Sequence, residues 1–283
     1  MIAIVGIVIV IASVLGSFMM AGGNPIVLFH LSEIIAIAGT ALGTVFIGTP
    51  GPVLKSLGHR LPGLFKPSPY SQGLYLNALK MLFELFQVAR KDGLVAIEAH
   101  IEAPDKSALF KKYPDVVAHH HPMEFLCDSL RLVLVGSVPP FDLESMMEAE
   151  IDVHHEESAA SSGALQKVGD ALPGIGIVAA VLGIVITMGA ITGTVEEIGE
   201  HVAAALTGTL LGILLSYGFL GPMVSGLEHA AAAESRFYNF LKASVVAFAK
   251  GYAPIVACEF ARRAVSAEVR PTFADMEKAV KGK

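Results

Sequence analysis

The chain has 283 residues, 53% of them hydrophobic and only 16% charged, with a net charge of -6 and no tryptophan. A pI near 5.9 leaves no electrostatic footprint for nucleic acid, and a mean hydropathy of +0.62 is high for a water-soluble domain. Two distant cysteines, Cys127 and Cys258, exclude a disulfide scaffold and make no metal-ligand spacing.

All 20 Lys and Arg lie between Lys55 and Lys167 or between Arg236 and Lys283. The rest holds four runs that also lack Asp and Glu: Met1 to Ala21, Ile34 to Leu54, Ala171 to Val195 and Val202 to Leu227. A bilayer core of roughly 30 Å needs about 20 apolar helical residues, and each run is long enough. The expected class is an all-α integral membrane protein with four transmembrane helices, the long helices of spans three and four extending into a helical cytoplasmic domain. In chain order the partition is span one at 1–21, a periplasmic loop at 22–33, span two at 34–54, a cytoplasmic domain at 55–170, span three at 171–193, a loop at 194–201, span four at 202–223 and a cytoplasmic tail at 224–283. The first run lacks a basic leader, so it reads as a retained span. The two outer loops carry Glu33, Glu196, Glu197 and Glu200 but no Lys or Arg, which places both termini in the cytoplasm.

Within the cytoplasmic segments, Leu79, Leu82, Phe83, Phe86 and Ala89 keep helical spacing from Leu74 to Lys91, and Gly93 ends that helix. A second piece runs from Leu94 to Glu102, and another follows Pro122. Pro139 and Pro140 force a turn, after which Asp142 is a plausible N-cap for an acidic helix reaching Glu157. Leu227, Ala231, Phe237, Leu241, Val245 and Phe248 extend span four as an amphipathic helix. Cys127 and Cys258 read as reduced, buried side chains. His119 to His121 read as a solvated loop rather than a metal site, and the G-x-G at Gly174 and Gly176 opens an apolar span instead of cradling a nucleotide. No nucleophile lies beside a base, so no enzyme activity is expected.

The spans contain no ionisable residue by this partition. Hydroxyls gather in spans three and four: Thr187, Thr192, Thr207 and Thr209, with Ser216 and Tyr217 deeper. G-x-x-x-G pairs at Gly39 and Gly43, Gly189 and Gly193, and Gly208 and Gly212 allow close helix approach. The hydroxyls can simply bond carbonyls four residues back, or they can line a lightly polar pathway. A proton relay needs Asp, Glu or His, so a partner must bring the carboxylate. Pro173 and Pro222 fall near the inner ends of spans three and four, where they either start and bend helices or form a hinge pair.

The segments LPGIGIVAAVLGIV from Leu172, ALTGTLLGILLSYGFLGP ending at Pro222 and ARKDGLVAIE from Ala89 to Glu98, set among four spans with a large insert, resemble the MotA family of flagellar motor stator subunits in the MotA/TolQ/ExbB superfamily. The resemblance implies a bacterial inner-membrane protein, a homopentamer embedded in lipid around a single-span MotB-like partner that carries the membrane aspartate. It makes Pro173 and Pro222 the coupling prolines and Arg90 and Glu98 the charges that meet the rotor protein FliG. Asp128, Glu144 and Glu150 match further rotor or assembly positions, although Ser145 departs from the acid that can follow Glu144. Thr187 and Tyr217 join the ion pathway. Sodium-driven relatives place a Thr where this chain has Ala180, while the Thr at Thr209 is shared, which favours transported protons over sodium and implies no cofactor. The alternatives are an energy-transducing channel subunit of the ExbB or TolQ kind, with three spans, and a non-conducting membrane scaffold.

Overall fold

In lipid every backbone N–H and C=O must be satisfied within the chain, so apolar runs of this length resolve as helices. The computed structural model describes residues 2–189 and 191–281. Met1, Ala190, Gly282 and Lys283, assigned above to span one, span three and the tail, lie outside the described residues. Among the described residues the chain is helical, without a strand. In order the helices are α1 (Ile2–Met20), α2 (Leu31–Gly48), α3 (Gly51–Arg60), α4 (Gln72–Asp92), α5 (Glu98–Glu102), α6 (Pro114–Val117), α7 (His120–Val135) and α8 (Pro140–Gly189). They continue as α9 (Val195–Ile213), α10 (Gly221–Ala249), α11 (Pro254–Arg263) and α12 (Phe273–Lys281), with a π-helical segment, Leu214–Leu220, joining α9 to α10.

Four helical runs are long and apolar enough to cross a membrane: Ile2–Met20, Pro25–Gly48, Pro140–Gly189 and Val195–Ala249. The chain divides into two compact units, one built from the residues up to Pro67 with Glu157–Ala230, the other from Ser68–Glu156 with the residues from Ala231 on.

The first unit leaves much of its apolar surface outward. Helix α1 buries no residue, and Ile35, Phe46, Val185 and Leu206 are all more than half exposed. Such continuous apolar exposure suits lipid and not water. Inside, Ile37 and Ala41 of α2 pack with Leu172, Ile175 and Ala179 of α8, and Leu57 packs with Leu165, Val224 and Leu227. Helix α2 differs from the expected 34–54 span. It starts earlier, at Leu31, and ends at Gly48, because Thr49 and Pro50 are extended and Pro50 opens α3. The residue before a proline is pushed out of the helical region, so an uncharged run need not be one helix.

The second unit has a soluble-type core. Ser71 caps α4 by accepting from the Leu74 N–H at 3.3 Å, and Gly93 ends the helix at φ 92, a backbone conformation that favours glycine. Leu79, Leu82 and Phe86 of α4 are fully buried. The Phe86 ring stacks on Phe248 with centroids 4.3 Å apart. Cys127 and Cys258 are buried and free, and burial pushes both thiols up to about 12. Two local expectations change here. His119 caps α7 and stacks on Tyr70, while His120 and His121 form its first turn rather than a loop. Helix α8 begins at Pro140, so Asp142 sits in the first turn, where its charge favours the helix dipole, instead of capping it.

Candidate functional site: a glycine seam and a charged rim

Within the first unit, α8 and α9 meet backbone to backbone. A Cβ on Gly176 would stand 2.9 Å from the Gly208 carbonyl oxygen and 3.1 Å from the Gly212 Cα. One on Gly212 would stand 2.6 Å from the Leu172 carbonyl oxygen, and one on Gly183 would stand 2.9 Å from the Ala205 Cβ. Real side chains do not fit at such distances, so these three glycines define the contact line. Of the three expected G-x-x-x-G pairs, Gly208 and Gly212 lie on this seam, whereas Gly39, Gly43 and Gly189 face open space.

The seam sorts the pathway residues. Thr187 donates to the Gly183 carbonyl and Thr207 to the Ala203 carbonyl, each at 2.8 Å, so both hydroxyls are used within their own helices. Thr209 is half-buried, with its Cα 3.4 Å from the Gly176 Cβ position, and its hydroxyl bonds no other described residue. Ala180 lies beside it: the Ala180 nitrogen is 3.5 Å from a Cβ built on Gly208. The structure thus brings Ala180, Gly208 and Thr209 to one level. Tyr217 is 73% exposed and lies off the seam.

The two prolines occupy different settings. Pro173 lies inside continuous α8, half-buried, one turn before Gly176, and does not start a helix as one expectation had it. Pro222 follows the π-helical segment, in which the Gly221 N–H donates to the Ser216 carbonyl five residues back. A proline lacks the donor for that ladder, and its ring crowds the carbonyl four residues before it; the wider π turn relieves the crowding.

In the second unit, Arg90 and Glu98 are exposed and neither has an ion-pair partner among the described residues. Arg90 borders a cleft of about 700 Å³ that also contacts Glu84, Lys91, His100 and Lys112. The other acids are engaged. Arg131 binds Asp128 and holds Glu102 at 2.7 Å, and Lys250 holds Glu144 at 2.9 Å. The Glu150 carboxyl is raised by partial desolvation; the nearby His154 lowers it, and Asp128 adds to the rise. Sequence reasoning missed the cationic halves: Lys250 lies 106 residues from Glu144 and leaves no local pattern, whereas Arg131, three residues after Asp128 on α7, carried an i,i+3 signal that could have found it. It also missed Glu33, which lies in the first turn of α2 and is only 6% exposed. The expected partition left Glu33 in the loop at 22–33; the structure instead has it buried within α2, inside the helical run Pro25–Gly48, which is long and apolar enough to cross a membrane. No group of His, Cys, Asp and Glu suited to a metal exists among the described residues.

Four apolar helical runs, a glycine-seamed helix pair and a separate helical unit define a multi-span helical membrane protein. A family model described as Motility protein A N-terminal matches residues 4–93, and the MotA/TolQ/ExbB proton channel family matches residues 118–239. Motility protein A of Escherichia coli (strain K12) is 35% identical over 281 residues, 99% of this chain and 95% of that one. The chain belongs to the motility protein A family. Its fold is similar to that in the solved structure of C. jejuni MotAB, with a TM-score of 0.77, 21% identity and coverage of 94% of this chain and 96% of that one. It is also similar to that of the flagellar MotAB stator complex from Bacillus subtilis, with a TM-score of 0.71, 23% identity and coverage of 90% and 92%.

Proposed function

We propose that this chain is the ion-conducting stator subunit of a bacterial flagellar motor, multi-pass in the inner membrane with both termini cytoplasmic. The observation that carries the reading is the glycine seam of α8 and α9, which sets Ala180 and Thr209 at one depth in a chain of this family. In this reading α8 and α10 pass from span segments into a cytoplasmic helical domain. A homopentamer surrounds a single-span, MotB-like partner whose aspartate supplies the mobile charge. The match of the Motility protein A N-terminal model to residues 4–93 favours this reading over an ExbB- or TolQ-like subunit, and so do two apolar helical runs before Pro67.

The proposed cargo is the proton. Sodium must trade hydration waters for oxygen ligands, and Ala180 offers no hydroxyl while Thr187 already bonds Gly183. A proton loading the partner's carboxylate near Thr209 neutralises it and lets it rest against the apolar wall of the seam. Its release restores the charge and advances the ring. A proton crossing 100 mV supplies about 2.3 kcal/mol, enough to bias a step between packed states without unfolding them. Pro173 and the π turn before Pro222 are the coupling points, and unpaired Arg90 and Glu98 are the side chains proposed to meet FliG. Asp128 and Glu144, already paired, would tune that contact, as would Glu150.

The test is swimming in the native cell with this gene deleted and restored. Restored motility that a protonophore abolishes and sodium removal spares is the expected result. Motility that survives the protonophore and fails without sodium would overturn the proton, and a deletion that leaves swimming intact would overturn the function.

A further inference from the structure

Glu33 is the one buried Asp, Glu, Lys or Arg among the described residues. A first-turn acid helps a helix dipole from the surface, so that role does not explain burial. Its stem instead packs on the α8/α9 crossing: a Cβ on Gly208 would stand 3.4 Å from the Glu33 Cγ, 3.2 Å from the Ala179 Cβ and 3.5 Å from the Ala180 nitrogen. Gly208 therefore leaves room for the acid at the depth of Ala180 and Thr209. His30, the residue before α2 and three positions earlier, has a buried Nδ1 without a hydrogen-bond partner. Neither side chain has an ion-pair partner among the described residues.

The surroundings offer Glu33 no counter-charge. The stretch of α8 beside it, from Ala171 to Gly189, carries no titratable group, nor does the 3₁₀ turn Pro25–Leu28; α9, packed on α2, carries Glu196, Glu197, Glu200 and His201 near its start. Ionisable residues at lipid depth are rare and mark ion pathways.

We infer that Glu33 is a second ion-binding carboxylate, resident in this chain, which takes up the transported proton beside the seam, at the level of Thr209, and hands it on to the partner's carboxylate. This rests on the proposed stator function. A Glu33 carboxylate oxygen accepts one proton and later releases it, with no other bond made or broken. His30, at the mouth of α2, is placed to feed it.

The experiment expresses Glu33→Gln and Glu33→Asp with the native partner in the native cell and records motor speed on small beads between about pH 5 and pH 8. E33Q is expected to accumulate in the membrane and co-purify with its partner as wild type does. Its near-zero-load speed should fall about threefold while torque near stall is kept, because only ion transit is slowed. E33D should turn with a displaced speed–pH curve. Wild-type speed at every pH for E33Q that has assembled normally overturns the inference. Where E33Q does not accumulate, E33D decides: a speed–pH curve identical to wild type overturns the inference and a displaced curve upholds it. A wild-type chain that gives no rotation refutes the stator reading itself, a result separable from any of these.

Discussion

Replacing Gly212 by Ala probes the seam most directly. The new methyl would stand 2.6 Å from the Leu172 carbonyl oxygen and 2.9 Å from the Gly176 Cα, both backbone atoms of α8. Neither can rotate away as a side chain could, so the helices must separate by about 0.8 Å to restore ordinary contact. Overpacking of this kind costs about 1 to 3 kcal/mol, and in lipid no hydrophobic gain from tighter burial offsets it, because the surroundings are already apolar. At roughly 2 to 4 °C per kcal/mol, the melting midpoint of the detergent-purified protein should fall by several degrees. Gly39→Ala is the matched control. It belongs to the same sequence motif, but its Cβ meets nothing within 4 Å, and its midpoint should stay within about 1 to 2 °C of wild type. Equal midpoints for G212A and wild type, or a larger loss for G39A, would refute the seam.

Glu259 is hydrogen-bonded by Arg262 and Arg263, which hold its carboxyl at about 2. A lowered folded value contributes stability above the unfolded value, so wild type should lose stability relative to Glu259→Gln as pH falls from about 4.5 toward 2, read by thermal melts of both proteins. With both thiols pushed up to about 12 by burial, Cys127 and Cys258 should resist iodoacetamide at pH 8 in native membranes and react once the protein is unfolded in detergent. Phe86→Ala removes a fully buried ring stacked on Phe248 and should cost about 3 to 5 kcal/mol, seen as loss of protein from the membrane fraction. Pro222→Ala restores a backbone donor and should let the π turn relax toward α geometry, with swimming reduced at unchanged protein level; full swimming would remove the turn from the coupling scheme.

Much of this architecture was legible from charge placement, because excluding Lys, Arg, Asp and Glu from long runs is a composition signal that survives without any contact information. The α4 helix was legible too, since an apolar stripe at helical spacing and a terminal glycine are local features. What failed was set by neighbours. Span two was drawn too far, because hydropathy continues through Thr49 and Pro50 although the backbone turns extended there. Thr187 looked like a pathway hydroxyl, and only the geometry shows it bonded to Gly183. Which G-x-x-x-G pair is used depends on the helix opposite, which no motif encodes. Glu33 stood at the edge of an uncharged run, where a surface position and a buried one look the same.

The seam and the π turn divide one helix pair into parts of opposite mechanical character. From Leu172 to Gly183, α8 lies against α9 with backbone atoms in contact, and a close-packed contact of that kind transmits displacement without yielding. A few residues below Gly212 the ladder shifts from four-residue to five-residue spacing, through Leu214–Leu220, before Pro222 opens α10. The shifted bonds are weaker in geometry and the proline removes one outright, so bending is concentrated there. A charge change beside Thr209 would therefore move the α8/α9 pair as a body and be taken up at the turn below it. This arrangement requires that stiffening the turn and loosening the seam have different consequences. Pro222→Ala should spare assembly and impair rotation, whereas Gly212→Ala should impair assembly first.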